Sequence, residues 1–388
     1  MSAMRVFLSY GFRPFFLLCG AWAIVPLAVL VAVLVGMPWN AEALPLFRWH
    51  GHEMIFGFVA AAIAGFLLTA SATWTGTPPI AGGRLAALAL LWLAGRFVVS
   101  PMTGLHSTAA VLVEIAFLPV LGAMLAVPLV RTRNVRNYPF LVILALLAAA
   151  DALFHAIALG LVRPPPFDPL RFAANLVMLI VAIVGGRIVP AFTRNALLRS
   201  GRGSSITPSP RLDVAVRFAI IAVLVIDLVA PDTFVAGLAA AAAAALVAAQ
   251  LARWEGFKTI RMPIVFVLHV GYAWIAVALA LKALWILAGA PWAVNWLHAQ
   301  TAGLFGTMIL AVATRVALGH TGRPLVVRPA ITVAYALVAA AALVRIFGPA
   351  LLPLGAVHVL ACAAVLWAAA FGIFLVVYVP ILFAPRAA

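Results

Sequence analysis

The sequence is poor in charged residues. Of its 388 residues only 9% are charged, whereas 67% are hydrophobic and the mean hydropathy is +1.21. A soluble domain carries roughly a quarter charged residues. A soluble fold of this composition would expose long apolar runs and aggregate, so we exclude it. The short alternating segments of a transmembrane β-barrel are also missing. We therefore predict an all-α, polytopic membrane protein.

Acidic residues are scarcer than basic ones. Nine Asp and Glu residues stand against 25 Lys and Arg residues, which gives a formal net charge of +16. Such an excess raises the question of nucleic-acid binding. The arginines are dispersed between apolar runs rather than gathered on one face, which argues against it. We exclude nucleic acid as a partner and expect a lipid bilayer instead.

Cysteine is nearly absent. Cys19 and Cys362 are the two cysteines, each inside an apolar run, and the sequence contains no CxxC motif. This excludes a disulfide framework and a zinc ribbon. We interpret both residues as small buried hydrophobic side chains.

The apolar runs are long enough to cross a bilayer, which takes roughly 20 residues. The first run is too long for the apolar core of a cleaved signal peptide, about 7–15 residues. We predict about twelve transmembrane helices in one bundle, forming a single integral-membrane domain over residues 1–388. Six helices precede a basic loop at residues 194–211 and six follow it. The predicted spans are Pro14–Gly36, Glu53–Thr73, Leu85–Val99, Ala109–Val130, Tyr138–Leu161, Leu170–Pro190, Leu212–Ala230, Thr233–Ala252, Pro263–Ala288, His298–Gly319, Ala330–Phe347 and Pro353–Pro380.

The basic residues give the orientation. They concentrate at the N-terminus, in alternate loops and at Arg386, and this bias places both termini and the loop at 194–211 in the cytoplasm. An even number of spans is required for that arrangement. The opposite side holds four basic residues, which are Arg48, Arg163, Arg171 and Arg345.

The stretch from Phe47 to Gly76 places His50, His52 and Glu53 at the outer mouth of the second span. Ionisable groups at the edge of a membrane helix are costly to desolvate and usually functional. His298 opens the tenth span at the same depth, so we predict an outer metal site with His50, His52 and His298 as ligands. Six of the eight histidines gather near the outer leaflet in this reading; the other three are His106, His155 and His358.

Two acidic residues near these histidines have two readings each. Glu53 lies in a first helical turn, where the dipole favours a carboxylate; it could equally hold a histidine or relay a proton. Asp151 and His155 are spaced i, i+4 and face each other. They could orient a ligand histidine or simply satisfy one another.

His269 and His320 lie nearer the cytoplasm and are candidates for a second centre. About 33 Å of straight helix separates His298 from His320, so these two cannot share one metal. Intramembrane Arg315 and Arg187 could pair with acidic side chains or clamp the propionates of a haem. The other charged groups within spans are Arg96, Lys282, Glu114, Asp151 and Asp227.

Several motifs in this chain resemble those of the NnrS family. The most specific is WHGHEMIFGFVAAAIAGFLLTASATWTG, from Trp49 to Gly76, and the resemblance continues in order along the whole chain. The further matching segments are GFRPFF at Gly11–Phe16, LALLWLAGR ending at Arg96, GGRIVPAFTRN at Gly185–Asn195, LHVGY at Leu268–Tyr272, HAQTAGLFGTMILAVATRVALGHTGR at His298–Arg323 and the tail YVPILFAPR.

The resemblance implies a multi-pass protein of the bacterial inner membrane that contains haem, of b type, and copper. It further implies a role in nitric oxide metabolism and in protection against nitrosative stress. On that reading the protein binds nitric oxide and either reduces it, as an oxidoreductase supplied by an unidentified electron donor, or relieves its toxicity. Imidazole ligands suit both haem iron and copper.

Two other functions stay open at this point. Twelve spans with a central basic loop also resemble a proton-coupled secondary transporter. The histidines crowd the outer edge rather than the midplane, and no sequence repeat between the halves is evident, which weighs against a carrier. A haem-binding sensor without turnover is the third reading.

Overall fold

The computed structural model describes residues 2–40, 44–100 and 107–387, and the predicted loop residue His106 lies outside them. Within the described chain the regular structure is helical. After a short N-terminal helix at Ala3–Phe7, a helix stands at each of the twelve predicted positions. We number them α1 Phe12–Leu34, α2 Leu46–Thr75, α3 Gly83–Val98, α4 Thr108–Arg131, α5 Tyr138–Ala158, α6 Pro169–Arg199, α7 Pro210–Val229, α8 Phe234–Ala252, α9 Pro263–Ala288, α10 Pro291–His320, α11 Pro329–Leu351 and α12 Ala356–Phe383.

Ten helices in the described part of the chain are long and apolar enough to cross a membrane. The two that fall outside this group are α3 and α7. Helix α3 has 16 residues, and α7 carries Arg211, Asp213, Arg217 and Asp227 within its 20 residues. The all-helical membrane class is therefore confirmed, while twelve spans and cytoplasmic termini stay predictions.

Helix ends follow local sequence signals. The side chains of Ser107, Asp168 and Thr233 accept hydrogen bonds from the first-turn amides of α4, α6 and α8, as expected of capping residues. At the other end, Gly76 and Gly289 close α2 and α9 in the left-handed conformation, which glycine adopts without strain.

The predicted basic loop is shorter than expected. Helix α6 continues through Pro190 to Arg199, so residues 194–199 are helical and the prediction is wrong there. The sequence Asn-Ala-Leu-Leu-Arg contains good helix formers and extends the last turns. The remaining loop is anchored on Glu255, whose carboxylate accepts hydrogen bonds from Ser204 and Ser205. Together with Lys258, these donors hold the pKa of Glu255 at about 2.

The chain packs as two compact units. The first unit takes in Met1–Pro164, Ala313–Pro324 and Phe371–Ala388, apart from the residues that are not described. The second takes in Pro165–Val312 and Leu325–Ala370.

Each unit contains one π-helical segment directly after a histidine. Glu53–Val59 follows His52 in α2, and Ala299–Gly306 follows His298 in α10. In both segments the fifth residue is a glycine that lies close to a tryptophan side chain. A Cβ atom at Gly57 would lie 2.5 Å from Trp22, and one at Gly303 would lie 2.5 Å from Trp274. π-helical turns are rare and frequently mark functional sites.

These features belong to an internal repeat, which differs from the repeat between two halves of six helices that the sequence does not show. Helices α1 and α9 both lead into the sequence Gly-x-Pro-Trp, at Gly36–Trp39 and Gly289–Trp292. Helices α2 and α10 both end in Thr-Gly-x-Pro, at Thr75–Pro78 and Thr321–Pro324. The matches relate α1 and α2 to α9 and α10, which do not occupy equivalent places in two halves of six helices. The matching residues lie in turns and at close helix contacts. The residues between them are apolar, and one apolar side chain can replace another where it faces lipid, so the rest of the repeat is not conspicuous in the sequence.

The second unit buries an ion pair that matches the predicted opposition of charges. Lys282 on α9 donates to both carboxylate oxygens of Asp227 on α7, and Asn175 Nδ2 donates to Asp227 at 2.8 Å. Gln300, in the π-helical segment, donates to Asn175 at 3.1 Å. The ammonium also lies 5.0 Å from the centre of the Trp296 ring. These contacts compensate a charge pair that is almost completely buried.

We predict that Gly303→Ala destabilises the protein by roughly 1–3 kcal/mol, because its methyl group overpacks the contact with Trp274. Gly122→Ala is the matched control, since a Cβ there meets nothing within 4 Å and alanine is the better helix former. Thermal unfolding of the detergent-solubilised variants checks this, and an unchanged melting temperature for Gly303→Ala would contradict it.

We also predict that Lys282→Met destabilises the second unit by about 3–5 kcal/mol, because it leaves the Asp227 carboxylate buried and uncompensated. The double variant Lys282→Met with Asp227→Asn should recover most of that loss. Denaturation of both variants measures it, and equal stability of the single and double variants would show that the pair contributes little.

Candidate metal centre

The candidate centre is built on the histidine that precedes the first π-helical segment. His52 is completely buried, and its ring is held on both sides by aromatic residues. Phe154 stacks on it at 4.9 Å between ring centres with an interplanar angle of 24°, and Phe56 lies at 5.1 Å. This packing fixes the direction of both ring nitrogens.

Both nitrogens of His52 face carboxylates. Nδ1 lies 3.1 Å from Glu53 Oε1, and Nε2 lies 3.0 Å from Asp151 Oδ1. The same Nε2 atom is 3.1 Å from Nε2 of His155. Two imidazole lone pairs at that separation repel each other, so a proton or a metal ion must lie between them.

Glu114 completes the group. Its Oε2 atom lies 3.3 Å from His155 Nε2. In His52, Glu114, Asp151 and His155, one ligand atom from each residue lies within 4.8 Å of the others, and all four residues are buried. In the part of the chain that the structure describes, this is the one such group of three or more His, Cys, Asp or Glu residues.

Arg96 holds the carboxylates in place. Its Nη1 atom donates to Glu53 Oε1 at 2.9 Å, and its Nη2 atom donates to Glu114 Oε1. Trp22 Nε1 donates to the second oxygen of Glu53 at 2.6 Å. Glu53 is therefore surrounded by three donors and does not share in the four-residue group directly.

The charges in this region do not balance. Three buried carboxylates, of Glu53, Glu114 and Asp151, stand against the one guanidinium of Arg96. In the state that binds a metal, with neutral imidazoles and ionised carboxylates, the site would carry two net negative charges in surroundings that exclude water. A buried charge of that size needs compensation, and one divalent cation supplies it.

Only part of the predicted site is in this group. His52 belongs to it, and Glu53 borders it. His50 and His298 are not members of the four-residue group, and both are half-buried. The Asp151–His155 pair, for which both readings were open, contributes to the group with both residues. Glu114 and Arg96 were recognised as charges within spans but were not predicted as site residues. The sequence signal that could have identified them is the high free-energy cost of placing a charged side chain inside a membrane span.

His269 has a fixed tautomer. Thr193 donates its hydroxyl hydrogen to Val189 O at 2.8 Å, so its oxygen accepts from His269 Nε2–H at 2.7 Å. Nδ1 then carries the lone pair, and it is buried without a hydrogen-bond partner in the described structure. A Cβ at Gly256 would lie 2.7 Å from Nδ1, so the backbone there leaves no room for a macrocycle.

The remaining predicted residues lie apart from the group. His320, at the end of α10, packs against the rings of Tyr10 and Phe12 at 6.0 and 5.8 Å. Arg315 is buried in α10, and Arg187 is half-buried in α6. Their predicted roles as propionate partners stay predictions.

The repeat explains why the group occurs once. His298 occupies the position of His52, but the residue after it is Ala299, where the first repeat has Glu53. Arg345, in α11, contacts the amide oxygen of Asn295 at 3.3 Å rather than two carboxylates. Residues 256–388 contain no Asp or Glu at all.

Comparison with known proteins identifies the family of this chain. The family profile described as "NnrS protein" matches residues 6–386, nearly the whole chain. No curated protein matches the sequence. The chain therefore belongs to the NnrS family, and this membership supports a nitric-oxide-related membrane protein.

Proposed function

We propose that this protein is a haem- and copper-containing protein of the bacterial inner membrane that binds nitric oxide at a metal centre and reduces or detoxifies it. The observation that carries the proposal is the buried group of His52, Glu114, Asp151 and His155. Family membership supports the link to nitric oxide.

The group fits a single metal ion. Metal–ligand bonds of about 2.0–2.2 Å place neighbouring ligand atoms about 3–4 Å apart, and the four atoms lie within 4.8 Å of one another. Two imidazoles with two carboxylate oxygens are a donor set that copper(II) accepts. The two uncompensated negative charges favour a divalent ion. Copper is therefore our choice for this site.

The group does not fit haem. Two axial imidazoles need about 4 Å between their nitrogens, at about 2.0 Å per bond, whereas the Nε2 atoms of His52 and His155 are 3.1 Å apart. The aromatic residues packed on His52 also leave no space for a macrocycle. We derive no step through haem at this group. His50, His298 and His320 stay predicted metal ligands, whereas the close approach of Gly256 to His269 leaves no room for haem at that histidine.

When bound, copper would supply a redox-active centre to which nitric oxide coordinates. The chain's own residues set the conditions around it. Arg96 fixes Glu53 and Glu114, so the carboxylates cannot rotate away from the histidines. Glu53 contacts His52 Nδ1 and fixes its ring orientation, as acceptors beside metal-bound histidines commonly do. The same carboxylate is the residue placed to hold a proton beside the site.

Access for nitric oxide needs no polar channel, because the molecule is small, uncharged and soluble in lipid. Protons and electrons do need a route, and we expect a separate electron donor. Because the site is fully buried, charge entering it must be balanced by protons taken up nearby, and Glu53 is the candidate relay.

A proton-coupled transporter is the second candidate, and the Asp227–Lys282 pair favours it. Buried ion pairs with amide neighbours are the kind of group that carriers use to bind a proton or an ion. A haem-binding sensor without turnover is the remaining alternative. Metal content separates these readings, because a carrier built on Asp227 and Lys282 requires no copper.

We predict that the purified protein binds about one copper ion per chain and that His52→Ala and His155→Ala each lose it, since metal affinity falls at least 10–100-fold when the ligand environment is broken. His358→Ala is the matched control, because His358 is exposed and should leave the copper content unchanged. Elemental analysis with electron paramagnetic resonance measures this.

Copper bound equally well by all four proteins would show that the metal lies elsewhere. A stoichiometric content of zinc or iron in place of copper would reject copper as the occupant while retaining a metal site.

We predict that the protein expressed with a haem supply shows a Soret band that shifts on addition of nitric oxide. His50→Ala and His298→Ala should each lower haem occupancy without removing the protein from the membrane, because an axial imidazole is lost. Absorption spectra and membrane fractions check this. Full haem occupancy in both variants would show that other residues are the ligands.

A further inference from the structure

The proposed metal site has no opening to solvent through its own residues. His52 and His155 are completely buried, and the side chains of Glu114 and Asp151 are 2% exposed. A ligand or an ion can reach the group only if a neighbouring side chain moves.

Phe154 is an aromatic side chain in contact with both histidines of the group. Its ring stacks on His52 at 4.9 Å and meets His155 edge-on at 5.3 Å, so one ring covers both histidines. Phe154 is 2% exposed and lies one turn from the C-terminal end of α5. That end is the one predicted to face the periplasm.

Arg48 covers Phe154 in turn. The guanidinium carbon lies 5.2 Å from the centre of the Phe154 ring, and Arg48 is half-buried. Contact between a cation and an aromatic face stabilises both groups. The Phe154 ring therefore contacts both His52 and Arg48, and Arg48 lies near the N-terminal end of α2.

The charges in this stack separate ions from neutral molecules. The four-residue group attracts cations, but a cation that approaches past Phe154 meets the guanidinium of Arg48. An anion that passes Arg48 meets the carboxyl groups of Glu114 and Asp151. A hydrated ion must also lose water in an apolar passage, which is costly. A small uncharged molecule meets none of these barriers.

We propose that Phe154 is the gate of this site and that Arg48 holds it shut, so that small uncharged ligands are admitted while ions and larger molecules are excluded. The inference rests on the proposed function, because it assigns the site a neutral diatomic ligand. Phe154 acts here as a specificity-determining residue, and Arg48 is a positioning residue that acts through it.

The test labels His52 of the metal-free protein with diethylpyrocarbonate, an uncharged reagent much larger than a diatomic molecule, and reads the modification by mass spectrometry. Labelling should be about tenfold faster in Phe154→Ala, because the ring that contacts both histidines is lost. Arg48→Gln should give a smaller increase. Phe117→Ala is the control, since Phe117 is a buried aromatic residue of the same unit that packs against Phe15.

If Phe154→Ala does not fold, Phe154→Leu takes its place, because it keeps an apolar side chain but lacks the ring. A labelling rate for His52 that is the same in the wild-type protein and in the folded Phe154 variant would overturn the proposal. Faster labelling in Phe117→Ala as well would also overturn it, because it would indicate general loosening.

A second arm uses the copper-loaded protein. Extraction of copper by EDTA should be faster in the Phe154 variant, while the association rate of nitric oxide stays the same. A parallel increase in both rates would contradict selection by charge and size. A wild-type protein that binds no copper would reject the proposed function, whereas the labelling of His52 would still decide the gate.

Discussion

The guanidinium of Arg96 is the group on which the first unit's polar interior depends. It joins Glu53 in α2 to Glu114 in α4, two carboxylates that would otherwise repel each other beside His52 and His155. In a low-dielectric interior such repulsion is several times stronger than in water. One fixed cation therefore offsets part of the charge of three carboxyl groups that are buried together. In the deprotonated state that binds a metal, two negative charges would remain for the ion to compensate.

The two repeats show what this arrangement requires. In both, a histidine precedes a π-helical segment, and the fifth residue of that segment lies close to a tryptophan side chain. The second repeat has Ala299 after its histidine, and Arg345 contacts an amide. The shared scaffold positions the helix, whereas the acidic residues that suit a metal occur in the first unit. In the second unit the ammonium of Lys282 takes the place that a metal ion has in our proposal, as the cation that compensates buried Asp227.

Burial also explains how the site would select its ligand. The ring of Phe154 contacts both His52 and Arg48, and the four residues proposed to bind the metal are buried from water. Such a site suits an uncharged ligand that dissolves in lipid. It also keeps the electrostatic interactions within the site strong, because water does not screen them.

Composition and hydropathy determined the membrane class, the positions of the helices and the place of His52 at the mouth of α2, because apolar length and the cost of burying charge can be counted residue by residue. Motifs in sequence order also indicated the family. The sequence alone could not determine that Glu114, Asp151 and His155 join His52. The position of a residue in the sequence sets its depth along a helix, but helix packing sets which side chains of neighbouring helices face each other. The π-helical segment decided the direction of Glu53, and the contact of Gly57 with Trp22 accompanies it. Tertiary structure thus selected the candidate ligands, and it did so because a metal site needs side chains from α2, α4 and α5 to converge within a few ångströms.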